Sequence, residues 1–297
     1  MKRYIIAAIS ILALAASMVS CTDHEVIRQL DDVEAYLSEH PDSALTVLDS
    51  ISTAGIQGRK ANARFALLYS MALDKKHIYL TSDSLIMPAV TYYRNHGTDS
   101  DRAKSWYYLG RVQQNAGEYI QATVSLTHAE KYADLSGDSF YSGMTHRAMG
   151  DIFGDTFNSS ESLKYYELAY SDFEKAGARK HSDYMLLSLA RAYYSRDMFT
   201  ECEKKCDKII DIARTTRDTV LYAECLKLYA SAMQNVKSTP APEETIRIFD
   251  YVSDSLKYGL TFDDYTVIAN AYALEKDFQS ASDIIGQLKQ TASKDRY

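Results

Sequence analysis

Small residues return along this chain at an interval that no single compact core requires. Ser70, Gly110, Gly150, Ala190 and Ala230 stand 40 residues apart, and Ala269 follows after 39. A second series, Ala89, Ala129, Ala169 and Ile209, keeps the same interval, with Val252 coming 43 residues later. A unit of that length cannot bury its own apolar face and has to stack on its neighbours. Within each period the apolar residues fall at helical spacing, and no segment alternates with period two over the length of a strand. The chain is therefore expected to be all-α and quasi-linear, so its 297 residues do not by themselves set a domain count.

The best-preserved unit runs from Ser105 to Ala129, SWYYLGRVQQNAGEYIQATVSLTHA. Trp106, Leu109, Gly110 and Gln113 share one helical face, Gly117 marks a turn, and Ala122, Leu126 and Ala129 form the answering face. Two helices reach an axial separation of about 8 to 10 Å only where something small lies at the crossing, and Gly110 and Ala122 supply it. The stretch resembles the tetratricopeptide repeat. It meets that repeat's WxxLGxxY and AxxxF signature except that Gln113 replaces an aromatic residue and Leu126 a phenylalanine. The resemblance implies a right-handed α-solenoid of about seven helical hairpins over residues 25–290, followed by a polar tail at 291–297. A period near 40, against the usual 34 or so, implies longer helices, with the extra residues after the second helix, as in Ser136 to Ser142.

Local signals place the ends of the helices. Pro41, Asp42 and Ser43 open the second helix of a first, atypical hairpin. Pro88 lies inside a return helix expected from about Ser82 to Asn95 and predicts a kink or a distorted first turn between Ser84 and Pro88. Asp99 or Ser100 is expected to cap the next helix. Residues 238–242, SerThrProAlaPro, lengthen one turn before Pro242, Glu243 and Glu244 open a helix. Thr261 with Asp264 forms a further cap.

The first residues are a separate module. Lys2 and Arg3 precede an apolar run from Ile5 to Ala16 that is too short to span a bilayer, so residues 1–20 read as a secretory signal. Ser20 before Cys21 resembles the lipobox of bacterial lipoproteins, which implies lipidation at Cys21, a tether at 21–24, and membrane association only through that lipid. Asp23 and Glu25 resemble the acidic tags of lipoproteins sent to the outer membrane or the cell surface. Loss of Lys2 and Arg3 leaves 31 basic residues against 40 acidic ones, a net charge of −9 that disfavours nucleic acid as a partner. The remaining cysteines, Cys202, Cys206 and Cys225, are odd in number and lack a CxxC pattern, so core packing is expected rather than zinc or disulfides.

The seven histidines form no HxxxH pair, and phosphate-loop, dinucleotide and nucleophile-elbow motifs are absent. The expectation is a protein that is no enzyme and uses no cofactor or metal. Asp151 and Asp155 share a helical face, but a solvated edge is the favoured reading. Tyrosine stands out at 24 residues, most of them on the packing rhythm. By resemblance, Tyr107, Arg111, Gln114, Arg147 and Asp151 fall on the face that lines the concave groove of such solenoids. So do Leu187, Arg191, Tyr194, Lys227, Ser231 and Gln234. Tyrosine and arginine are the types that anchor protein and peptide interfaces. Ile284, Ile285 and Leu288 would leave apolar surface bare after the last hairpin, which predicts docking or self-association there. The expected function is a lipid-anchored TPR scaffold of a Gram-negative cell envelope, periplasmic or surface-facing, that binds a protein or peptide. The alternatives are a ligand-sensing repeat domain of a signalling system and a glycan-binding surface lipoprotein.

Overall fold

The computed structural model describes residues 25–51, 56–235 and 241–294. The signal segment 1–20, Cys21 with its tether, and most of the 238–242 turn lie outside the described residues. Among those described there are fourteen helices and no strand. The chain divides into two compact units, Met1–Ile152 and Phe153–Tyr297. The first holds α1 (25–36), α2 (Pro41–Ser50), α3 (Arg59–Lys75), α4 (Met87–His96), α5 (Asp99–Asn115) and α6 (Tyr119–Ser136). The division falls within α7 (Ser139–Asp155). The second unit continues with α8 (Ser159–Lys175), α9 (Arg179–Tyr194), α10 (Phe199–Thr216) and α11 (Thr219–Asn235). It ends with α12 (Pro242–Asp250), which runs into a π-helical turn at Tyr251–Ser255, then α13 (Phe262–Leu274) and α14 (Phe278–Lys294). The expected tail therefore begins as helix, since α14 continues to Lys294.

Among the described residues α3 packs with α4, α5 with α6, α9 with α10, α11 with α12 and α13 with α14 as hairpins, and first helices also touch one another, as α3 does α5 and α11 does α9 and α13. The α5–α6 crossing is as tight as its small residues imply. A Cβ on Gly110 would stand 2.7 Å from Leu126 Cγ and 3.4 Å from the Ala122 carbonyl oxygen. Leu126 and Ala122 are fully buried there. The side chain of Gln113, in place of the usual aromatic, accepts a 2.7 Å hydrogen bond from Ser125 across the same crossing.

The turns carry the repeat as plainly as the packing does. His77, Gly117, Phe157 and Asp197 all have positive φ and stand 40 apart, and Gly137, Gly177, Arg217 and Lys257 form a second such series. At each turn within a hairpin the residue after the left-handed one returns a bond to a carbonyl five residues back: Ile78 to Leu73, Glu118 to Gln113, Asn158 to Phe153 and Met198 to Tyr193. This Schellman closure satisfies carbonyls that a helix end leaves open. Between hairpins the same bond runs from Asp138 to Ala133, Ala178 to Phe173 and Asp218 to Ala213. At the fourth site it runs from Tyr258 to Val252, one residue further, because the π turn has taken up an extra residue.

Three local expectations need correction or refinement. The cap of α5 is Thr98, not Asp99 or Ser100: its hydroxyl accepts from the Asp101 amide while the Asp101 carboxylate accepts from the Thr98 amide, a reciprocal capping box. The return helix α4 starts at Met87 rather than near Ser82, so Pro88 sits in its first turn and lacks only an amide that needs no partner. The distorted turn is real and lies just before it, where Met87 bonds to Asp83. The extra residues of the long period do not collect after the second helix. They lengthen α5 to α11 to 16–18 residues and leave only Gly137 and Asp138 between α6 and α7.

The expected packing role of the cysteines holds, since Cys202, Cys206 and Cys225 are buried and free between α10 and α11. Phe157 is the costly turn residue: it is left-handed at φ 59° yet 95% exposed, so no packing offsets the strain. Phe157→Gly is expected to raise stability by about 1 kcal/mol, and Gly110→Ala to lower it by about 2 kcal/mol through overpacking against Leu126. Urea denaturation followed by circular dichroism checks both signs.

Candidate functional site

The forty-residue register sorts the expected groove residues into rungs along the first helices. Residues 107, 147, 187 and 227 form one rung, 111, 151, 191 and 231 a second, and 114, 194 and 234 belong to a third. The first rung is not a free surface. Tyr107 is 0%, Leu187 2% and Lys227 6% exposed, which corrects their reading as open groove residues. The reason is the stacking itself, because within each unit this line of a first helix meets the next first helix, as α5 meets α7 and α11 meets α13. Tyr107 lies 5.8 Å, ring to ring, from Tyr141 on α7, and Lys227 reaches Asp264 on α13. The second rung is more open: Arg111, Asp151 and Ser231 are half-buried, and Arg191 is exposed.

In the first unit these positions converge on a buried polar cluster. The Arg111 guanidinium stands 3.5 Å from the Asp74 carboxylate of α3 and donates to the Gln114 side chain at 2.5 Å. Burial works against the charge of Arg111, but Tyr107, Asp74 and Asp151 outweigh it, and its pKa lies above the ordinary arginine value. Arg147 is held above that value in the same way, by Tyr107 and Asp151 against burial. The Tyr107 hydroxyl and the Nε atoms of Arg111 and Arg147 are buried with no hydrogen-bond partner among the described residues. Arg111 Nε still faces the Asp74 carboxylate at 3.5 Å, so the Tyr107 hydroxyl and Arg147 Nε are the two donors lacking acceptors in this wall, a costly arrangement in a folded protein.

The second unit uses the equivalent residues differently. Arg191 of α9 bonds to Glu224 of α11, and Lys227 bonds to Glu224 at 3.1 Å and to Asp264 at 3.0 Å. Asp264 also completes the expected capping box of α13 with Thr261. The Gln234 amide donates to the Val267 carbonyl at 3.2 Å, and Asn235 donates to the Tyr194 hydroxyl at 3.3 Å. Ser231 bonds back to Lys227 on its own helix. Here the charged residues tie α9, α11 and α13 together, and their donors are engaged.

Residue-type reasoning missed the partners that define both clusters, Asp74 and Glu224. A signal for Asp74 was present, since it stands 40 residues before Gln114 in the third rung. At the C-terminal end, Ile284 packs on the core around Phe249 and Ile268, so it is not bare as expected. Ile285 is 45% exposed and Leu288 half-buried. Among the described residues no helix is long and apolar enough to cross a membrane.

No family model and no curated protein matches this sequence. Solved structures do match it. A signal-transduction ATPase with a tetratricopeptide repeat sensor from Pyrococcus horikoshii aligns with TM-score 0.67 at 12% identity, over 89% of this chain and 41% of that one. A Rap protein complexed with competence and sporulation factor aligns with TM-score 0.64 at 12% identity, over 91% of this chain and 77% of that one. NprR in complex with its cognate peptide NprX aligns with TM-score 0.60 at 12% identity, over 96% of this chain and 79% of that one. This chain thus spans less than half the length of the ATPase. At such identities the likeness is one of fold: the chain is an all-α, TPR-like solenoid of helical hairpins.

The two clusters predict distinct responses. Asp264→Ala removes a helix cap and one of the two carboxylates that hold the buried Lys227 ammonium, leaving only Glu224, so it is expected to cost about 2 kcal/mol, whereas Lys227→Met is expected to cost about 1 kcal/mol. Thermal unfolding of the two variants checks the order. Burial pushes the phenols of Tyr107, Tyr108 and Tyr141 above the ordinary value of 10.0. A raised folded value contributes stability that is complete below pH 10.0 and is lost as pH rises through the folded values. Ultraviolet titration of tyrosine ionisation is expected to show these phenols ionising only together with alkaline unfolding.

Proposed function

We propose that this protein is a lipid-anchored scaffold of a Gram-negative cell envelope, which binds a protein or peptide segment on the first-helix face of its first unit. The observation that carries the binding is the pair of buried donors without acceptors, the Tyr107 hydroxyl and Arg147 Nε, beside the Arg111–Asp74 ion pair. Backbone carbonyls and carboxylates of a peptide are acceptors of the kind those donors lack. Asp74 and Asp151 balance the two guanidiniums, so the wall favours a polar segment over a highly charged one. Tyr107 serves from the core as a rigid support, while the half-buried Arg111, Gln114, Arg147 and Asp151 meet the ligand. The Rap protein and NprR, similar in fold, are each complexed with a partner, a peptide in the case of NprR, which supports a protein or peptide ligand here. The anchor and the envelope location rest on the signal-like residues 1–20 and on Cys21.

A second reading is ligand sensing, in which peptide occupancy is passed to an output protein. The tetratricopeptide repeat sensor of the Pyrococcus ATPase supports it. The two readings share the binding face and differ in whether a further partner is recruited only when the peptide is bound.

Crosslinking of the anchored protein within its own envelope, followed by mass spectrometry, tests the proposal. Capture of a specific partner by the parent, lost on Arg111→Ala with Arg147→Ala while the helical circular dichroism is retained, is the expected result. Equal capture by that folded variant would remove this face from the function. Cys21→Ser is expected to move the protein from the membrane fraction to the soluble one, and its retention in the membrane fraction would overturn the anchor.

A further inference from the structure

The side of α11 that turns away from Lys227 and Gln234 carries a site of a different chemistry. Tyr222, Leu226 and Tyr229 on this side form the floor of an open cavity of about 710 Å3 between α10 and α12. That volume is in the range of ligand pockets, roughly 300 to 1,000 Å3. Tyr251, the first residue of the π turn, closes one end, with its ring edge-on to Tyr222 at 6.5 Å. π turns inside α-helices occur frequently at functional sites. This one coincides with the stretch in which the sequence interval lengthens from 40 to 43.

The charges on the rim differ in how far they are committed. Arg214 donates through Nε and Nη2 to the Tyr222 hydroxyl, at 3.3 and 3.0 Å. Arg247 is paired with Glu243 and Glu244, each at 3.4 Å. Asp207 and Asp211 stand one helical turn apart on α10 and have no hydrogen bond or ion pair from their carboxylates among the described residues. Arg214 also lies over the Tyr222 ring at 5.4 Å, so that ring already holds a cation. The lining carboxylates of Asp207, Asp211 and Glu244 nevertheless outnumber Arg214 and Arg247, and they lie beside Tyr229 and Tyr251, whose π faces attract cations. Burial, then the nearby Asp207, Glu203 and Glu244 carboxylates, hold the Tyr229 phenol above its ordinary value, as a negative local field requires. A neutral ligand would leave both carboxylates unused, and an anion would be repelled by them. The chain's net charge of −7 favours a basic partner as well.

We propose that this cavity binds an organic cation, the guanidinium or ammonium group of an arginine or lysine side chain on a partner protein, against Tyr229 and Tyr251 and between Asp207 and Asp211. The site is independent of the donors at Arg111 and Arg147.

Isothermal titration calorimetry of the full chain with acetyl-Gly-Arg-Gly-amide tests it, with acetyl-Gly-Glu-Gly-amide, maltose and the free amine agmatine as the other probes. The arginyl peptide is expected to bind, to weaken with added salt, and to lose about tenfold in affinity in Asp207→Asn with Asp211→Asn. Tyr251→Ala, at a partly exposed position, provides a second variant with the same expected direction and little demand on the fold. Absence of binding at millimolar peptide, or full affinity in either folded cavity variant, would overturn the site. Equal binding of the glutamyl peptide or of maltose would overturn the cation assignment. Agmatine binding as tightly as the peptide would overturn the partner protein as the source of the cation.

Discussion

The close crossing of α5 and α6 is the contact on which the rest of the pattern depends. Gly110 lets the Leu126 side chain fill the space a Cβ would occupy, so the two helices meet over apolar atoms with no void between them. A hairpin built that way is still incomplete, because its outer flanks are apolar too. They are covered only when another hairpin is added, as Leu221, Cys225 and Ala232 of α11 join Leu186 and Leu189 of α9 and Ile209 of α10 in one core. Close approach within the hairpin and incompleteness at its flanks together turn a local motif into an array.

The division of labour along that array follows from where a first helix touches its neighbour. The rung containing Tyr107 and Lys227 is taken by the neighbour, and the rung one turn further on is left to solvent or a ligand. Charge placed on the covered rung has to be answered within the protein. In the second unit Glu224 and Asp264 answer Lys227, and the result is a set of inter-helix ties. Near Arg111 and Arg147 the answer is partial, and an unanswered donor in a buried wall is where structure and binding part company.

Most of the fold is legible in the chain because its signals are repeated. One small residue at position 110 is weak information, but five at the same interval set the register of every hairpin. Cap identity was less legible, since Thr98, Asp99 and Ser100 are all good caps and only the reciprocal bond to Asp101 decides among them. The binding face was legible as a face, but not as a surface. Tyr107 and Arg111 lie one turn apart on one helix, and which of them is covered depends on the stagger of the neighbouring helix, which helical periodicity does not encode. The π turn at Tyr251 left only an interval of 43 in place of 40, which a longer loop explains equally well from sequence. The aromatic cavity was invisible for the same reason, as Tyr229 reads as ordinary packing until Asp207 and Asp211 are seen across from it.

The left-handed turns bear on the order in which the chain folds. The main inter-helix contacts among the described residues join helices close in sequence, so loop closure costs little. The hairpin turns are nonetheless unequal as starting points. Gly117 enters the left-handed region without penalty, and the chain there can close before α5 and α6 have fully packed. Phe157 enters it only against a penalty, so the turn between α7 and α8 has to be held by helices that have already docked. The division between the two compact units falls in α7, the helix leading into that turn. Backbone preference alone therefore sets the turn at Gly117 apart from the equivalent turn 40 positions on at Phe157, where packing has to supply what the residue does not.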